Sequence, residues 1–199
     1  MREKLKNLAV IRAGYQFRGR VQHDPNGKVR VLQIRDFTED RTLRLDDLVR
    51  VNLPAEATAS EVKSGDVLFL SRGHKLWATT IEADLPSAVA SGYFFIVRPH
   101  PTVRPRYLAW YMGQSEFQSA LRPVHRGSHI PLVSRVDFEE LEIEVPPVEV
   151  QDRIVALDGL AKREQSLIRT IAEKRASLVV TACMIAAHGR QVRKEGRRT

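Results

Sequence analysis

LEIEVPPVEVQDRIVAL, residues 141–157, is the stretch that divides the chain. Leu141, Ile143 and Val145 alternate with acidic residues, the period-2 pattern of a strand with one buried face. Pro146 and Pro147 stop that strand, because proline lacks the N–H that a ladder needs. Proline also suits the first turn of a helix, where that N–H would have no partner anyway. Glu149 and Asp152 fit the positive end of a helix dipole, and Ile154 and Leu157 follow at helical spacing. The stretch predicts a rigid strand-to-helix joint between two parts of different character.

Downstream of the joint, Ile154, Leu157, Ala161, Ile168, Ile171, Leu178, Ala182 and Ile185 fall on a seven-residue repeat, interrupted at Glu164 and Arg175. A continuous helix from Val148 to Ala187 would extend about 60 Å at about 1.5 Å per residue, too far for a domain of this size to cover. The stripe can fold back on its own domain or meet a partner helix. Its narrow coiled-coil spacing favours the partner. Ile154, Leu157, Ile168, Ile171 and Leu178 are the residues expected to carry that contact. Gly159 is where the helix would kink, since glycine costs about 1 kcal/mol against alanine in a helix interior.

Upstream, short strands and turns dominate. VRVLQIRDF (29–37), DVLFLS (66–71) and SGYFFIVRP (91–99) are rich in Val, Leu, Ile and Phe and read as central strands. PRYLAWYMGQSEFQSALRPV (105–124) spaces Leu108, Tyr111, Met112, Phe117 and Leu121 as a helix bounded by prolines, predicted to cover the sheet. VDFEELEIEV (136–145) is expected to return to strand.

With 199 residues and 43% hydrophobic content the chain can bury a real core. It has neither the apolar run of about 20 residues that a membrane helix needs nor the pattern of a signal peptide, so a cytoplasmic location is expected. The single cysteine, Cys183, has no internal disulfide partner and no metal-ligand spacing. The net charge of +8 points to a polyanion as partner. Half of it lies in HGRQVRKEGRRT (188–199), expected to be a disordered basic tail, so sequence specificity must reside in the body.

Catalytic patterns are weak. Asp47 with Glu61 and Lys63 faintly resembles a metal-nuclease arrangement, but Glu61 and Lys63 sit in a polar, turn-like stretch. The six histidines show no paired metal spacing, Ser71, His74 and Asp66 lack a nucleophile elbow, and no glycine-rich phosphate loop occurs. PPVEV lacks the Asn or Asp and the aromatic residue of a methyltransferase loop. No metal, cofactor or catalytic role is expected of this chain.

Two loops suit binding better. SRGHKLW (71–77) offers Ser71, Arg72, His74, Lys75 and Trp77 around a glycine, directly after the DVLFL strand. HRGSHIPLVS (125–134) offers His125, Arg126, Ser128, His129 and Ser134. Arg and Lys reach guanine O6 and N7 or phosphates, and Ser and His can bond base edges. GYQFRGR (14–20) adds Tyr15, Gln16, Arg18 and Arg20.

The order of LKNLAVIRAG, VRVLQIRDF, SGDVLFLSRG, YFFIVRP, YLAWYM, GSHIPLVSRVDFEELEIEVPP with Gln151 and Ile154, and LDGLAK resembles one half of a type I restriction-modification specificity subunit. The match rests on order and spacing over about 150 residues, since no single piece is diagnostic. The resemblance implies an α+β fold: a target recognition domain (1–147) with a twisted mixed β-sheet and covering helices, then a long helical spacer or dimerisation coiled coil (148–187). It implies sequence-specific binding of double-stranded DNA on behalf of a separate adenine methyltransferase subunit, with or without a restriction subunit. Family members usually carry two such units and this chain has one, so a homodimer reading a split palindrome is expected. Pairing with a different specificity chain would give an asymmetric target. The rival expectation is a degenerate recognition domain that acts through its coiled coil as a scaffold or regulator. Val150 departs from the family, which usually has Glu there.

Overall fold

The computed structural model describes residues 1–54, 59–121, 125–126 and 131–195, with side chains left undescribed at 125–126 and 189–195. In chain order the elements are β1 (Arg2–Lys4), α1 (Leu5–Leu8), β2 (Ala9–Ala13), β3 (Val29–Leu32), a 3-10 turn (Ile34–Asp36), β4 (Val49–Val51), β5 (Val67–Leu70), β6 (Ala78–Thr80), β7 (Ala88–Ala90) and β8 (Phe94–Pro99). Then come α2 (Pro105–Met112), α3 (Ser115–Leu121), β9 (His125–Arg126), β10 (Leu132–Val133), α4 (Arg135–Glu139), β11 (Glu142–Glu144) and α5 (Val148–Glu195). The architecture is α+β with a long C-terminal helix. Residues Met1–Val155 form one compact unit and Ala156–Thr199 another.

The first unit holds two main sheets where one was expected: a four-stranded antiparallel sheet in the order β2-β8-β5-β6, and a three-stranded sheet β4-β3-β7 that pairs β3 with β7 in parallel. The three predicted central strands are the inner strands β8, β5 and β3 of these sheets. Strands β5 and β8 read as unbroken apolar runs because both of their faces are covered. Val67, Phe69, Phe95 and Val97 join a core with Leu5, Leu8, Leu108, Met112, Phe117 and Phe138. Leu68, Leu70, Phe94 and Ile96 alternate to the other face and meet Leu32, Phe37, Ile81 and Ala90. Phe69 stands at the centre of the first core, its ring 4.5 Å from that of Phe138 and 6.2 Å from that of Phe117.

Three local expectations change. The helix predicted over 105–124 is two helices, because the amides of Gln114 and Gln118 donate to the carbonyls of Trp110 (2.9 Å) and Met112 (2.6 Å) and so finish α2 at Gly113. VDFE (136–139) is helical rather than extended, since Ser134 Oγ accepts the Asp137 N–H at 3.1 Å and caps α4. Only Glu142–Glu144 of that stretch is strand. It pairs with β1, from Arg2↔Glu144 to Lys4↔Glu142, in a ladder of its own.

The joint forms at Pro146–Pro147, and α5 starts at the next residue. The compact unit nevertheless extends to Val155, eight residues beyond the expected boundary at 147. Its anchor is Gln151, fully buried, which accepts from Arg104 N at 2.8 Å and donates to Thr102 O at 3.0 Å and Pro146 O at 2.8 Å. Ile154, expected to carry the partner-helix contact, instead packs with Val155 against the first core.

In the second unit α5 passes through Gly159 without interruption and reaches Glu195. Most of the stretch expected to be a disordered tail therefore continues the helix. Residues 196–199 lie outside the described residues. Lys162 pairs with Asp158 at 2.6 Å across one turn. Among the described residues, no helix is long and apolar enough to cross a membrane.

Candidate nucleic-acid interface

The turn Ser91–Gly92–Tyr93, between β7 and β8, gathers the segments that the sequence offered separately. Segment 14–20 reaches it first: Tyr15 bridges Ser91 in parallel and its N–H donates to Ala90 O at 2.7 Å. Gly14 has to be glycine there, because a Cβ would come within 2.1 Å of Ser91 O. Gln16 donates to Gly92 O at 3.3 Å, and its side chain lies where a Gly92 Cβ would stand.

Loop 71–77 reaches the same turn from β5. Ser71 donates to Tyr93 O twice, from its N–H at 2.8 Å and from its hydroxyl at 2.9 Å. The guanidinium of Arg72 then lies over the Tyr93 ring, 5.9 Å from its centroid. Gly73 adopts φ +124°, a backbone conformation that side chains resist, and His74 and Lys75 are exposed beyond it. Trp77 does not face outward. Its ring meets Phe37 at 5.2 Å and Phe94 at 5.6 Å, so it belongs to the second core.

The third segment joins by pairing. Arg72 bridges Leu132, which pairs with Arg126 across β9–β10, so Arg72, Leu132 and Arg126 are in register on three adjacent segments. Val133 N–H donates to Ser71 O at 2.9 Å and Gly73 N–H to Pro131 O at 3.0 Å, closing the seam. Ser128 and His129 lie outside the described residues, as does the side chain of Arg126. Ser134 is the cap of α4.

The first two of these segments, with the turn 91–93 and residues 33–35, wall a cleft of about 630 Å³. Gln16 and Arg20 line one side, Gln33 and Arg35 another, and Arg72, Ser91 and Tyr93 a third, with Phe17, Val21 and Ile34 as apolar wall. Among the described residues, no carboxylate lines it. Tyr15 is half-buried with its ring against Phe17 at 4.8 Å, while Arg18 is exposed and outside the cleft. Sequence reasoning missed Gln33, Arg35, Ser91 and Tyr93 because it placed them inside strands. The polar Gln33 and Asp36 within an apolar run, and the Ser-Gly pair opening SGYFF, were the signals of a turn in each case.

Asp36 holds the Gln33 corner, accepting the Gln33 N–H at 2.7 Å. Its burial pushes its carboxyl up from the ordinary value, against the Gln33 N–H and the neighbouring Arg35 and Arg44, which pull it down. Elsewhere, Glu61 and Lys63 form an exposed pair at 3.7 Å. Asp66 is tied to the Lys63 N–H (2.8 Å) and to Arg98 in a two-bond fork at 2.7 Å, which is turn and sheet support rather than chemistry.

Comparison with known proteins adds the fold. No protein-family model matches the chain, and no curated protein matches it significantly. Among solved structures, one described as the structural basis of complex assembly and conformational transition of the type I R-M system aligns with TM-score 0.64 and 22% identity. The alignment covers 89% of this chain and 42% of that one. The type I restriction-modification S subunit of M. genitalium aligns with TM-score 0.56 and 13% identity, over 84% of this chain and 40% of that one. The HsdS subunit of Thermoanaerobacter tengcongensis gives 0.54 and 19%, over 85% and 39%. The fold is that of type I specificity subunits. This chain spans about two fifths of the length of each of these structures.

Proposed function

We infer that the chain is a DNA-reading unit of a type I restriction-modification system: it binds double-stranded DNA sequence-specifically and directs a separate adenine methyltransferase subunit to the site, performing no reaction itself. The observation that carries this reading is that three arginine-bearing segments, at Arg20, Arg35 and Arg72, line one cleft beside the turn 91–93, with no carboxylate in its wall among the described residues. Such a wall suits the acceptor-rich, negatively charged surface of a duplex. The likeness to specificity-subunit folds supports the same reading. Arg72, His74, Lys75, Arg126, Ser128 and His129 are the proposed DNA-facing residues, with Tyr15, Gln16 and Arg18 beside them.

The second unit supports a further part of the proposal. Leu157, Ile168, Ile171, Leu178 and Ile185 are each more than half exposed, an apolar row that a second α5 would cover. Two copies joined in this way present two recognition domains and read a split palindromic target. A restriction subunit joins where the system includes one.

Mapping of methylated adenines in a host that carries this gene with its neighbouring genes, with and without it, tests the reading. Loss of one methylated motif on deletion is expected, and a split palindrome supports the two-copy arrangement. An unchanged methylation pattern overturns the assignment and leaves the scaffold reading, in which Ile168→Asp with Ile171→Asp abolishes function while Arg72→Ala with Arg126→Ala does not.

A further inference from the structure

Among the described residues, four buried side-chain nitrogen or oxygen atoms have no hydrogen-bond partner: Arg12 Nε, Gln33 Nε2, Arg72 Nε and Ser91 Oγ. Three of the four belong to residues that line the one cleft. Buried polar atoms are nearly always paired, so three unpaired ones on a single cleft wall mark a place where the free protein tolerates a loss that a ligand can restore. Ser91 is 5% exposed, and its hydroxyl has no other role in the fold. The guanidinium of Arg72 lies 5.9 Å from the centroid of the Tyr93 ring, and among the described residues its Nε has no acceptor.

The ligand that matches this wall is defined by its chemistry. Arg72, Ser91 and the Gln33 amide nitrogen all donate, Arg20 and Arg35 add positive charge, and among the described residues no carboxylate lines the cleft. The complementary group therefore presents acceptors. A phosphate would satisfy the donors but has no use for the Phe17, Val21 and Ile34 side of the cleft. Base edges in the major groove use both, guanine offering O6 and N7 to the donors and a neighbouring thymine its C5-methyl to the apolar side.

We propose that the cleft between Gln33, Arg72 and Ser91 is a base-reading subsite that selects a guanine in the target, with Arg72 forked onto O6 and N7 and Ser91 and Gln33 completing the donor set. This rests on the DNA-reading function inferred above and names the atoms that function uses. Tyr93 is a positioning residue, acting through its contact with the Arg72 guanidinium.

The test replaces the chromosomal gene with Arg72→Gln, and separately with Ser91→Ala, and maps methylated adenines by sequencing. Thermal melting of each purified variant establishes that it folds. In the wild type, one position of the motif is expected to be guanine at nearly every methylated site. With Arg72→Gln, methylation at sites carrying another base there rises roughly ten- to hundredfold relative to the guanine sites, adenine gaining most because Gln pairs with its N6 and N7. Ser91→Ala relaxes the same position by roughly fivefold or more, and all other positions hold. A folded Arg72→Gln protein that keeps the motif, or that lowers methylation evenly across all sites, overturns the proposal, the even loss being the mark of a phosphate contact. Methylation unchanged by deleting the gene overturns the functional reading itself, an outcome distinct from a motif that vanishes on deletion yet survives both substitutions.

Discussion

The N–H of Arg104 donates to Gln151 Oε1 at 2.8 Å, joining residues 47 positions apart. The same Gln151 amide donates to Thr102 and Pro146, and Arg104 Nε meets Asp152 Oδ1 at 3.0 Å. A single side chain thus pins the start of α2, the proline joint and the first turn of α5 together.

Gln151→Ala should therefore unpair one N–H and two carbonyls in a buried place. At about 1 to 3 kcal/mol for a buried group left unsatisfied, with partial relaxation, the expected loss is about 2 to 4 kcal/mol of stability. Urea unfolding monitored by tryptophan fluorescence measures it, and a loss under about 0.5 kcal/mol would show that the latch is not needed.

Trp77→Ala should act on stability and not on sequence choice. Its ring packs with Phe37 and Phe94 in the second core, so truncation costs about 3 kcal/mol and lowers the melting temperature by roughly 6 to 12 °C. A wild-type methylation motif from a destabilised Trp77→Ala protein is the expected pair of results. A changed motif would place the ring at the DNA.

Ile168→Asp with Ile171→Asp should abolish self-association while leaving the first unit folded. Both side chains are more than half exposed on α5. Sedimentation velocity is expected to show a larger species for the wild type and a monomer for the double variant. A wild-type monomer at tens of micromolar would remove the two-copy arrangement.

Glu140 makes stability depend on acid. Hydrogen bonds from Lys4 and Lys6 hold its carboxyl down at about 2, below the ordinary 4.5. A depressed folded-state value means the contribution is present above about 4.5 and is lost as pH falls toward about 2. Glu140→Gln is expected to flatten the fall in stability across that window, measured by urea unfolding at several pH values. An identical slope in the variant would remove the ion cluster as a source of acid sensitivity.

The sequence by itself determined the joint and the strands. Two consecutive prolines can neither continue a ladder nor sit deep in a helix, so 141–157 had one reading, and VLFL and FFIV are apolar at every position because both faces are buried. It also marked segments 14–20, 71–77 and 125–134 as polar and basic. Composition cannot tell a loop residue that faces outward from one that turns in. Trp77 went to a core and Ser134 to a helix cap because packing and an unpaired helix N–H outweighed their place in a polar segment. Only the tertiary structure decided which residues meet: β3–β7 pairing and the turn into β8 bring Gln33 and Ser91, 58 positions apart, to one cleft with Arg72. Contacts of that kind arise from sheet register, which is set by the whole core and leaves no trace in a local spacing.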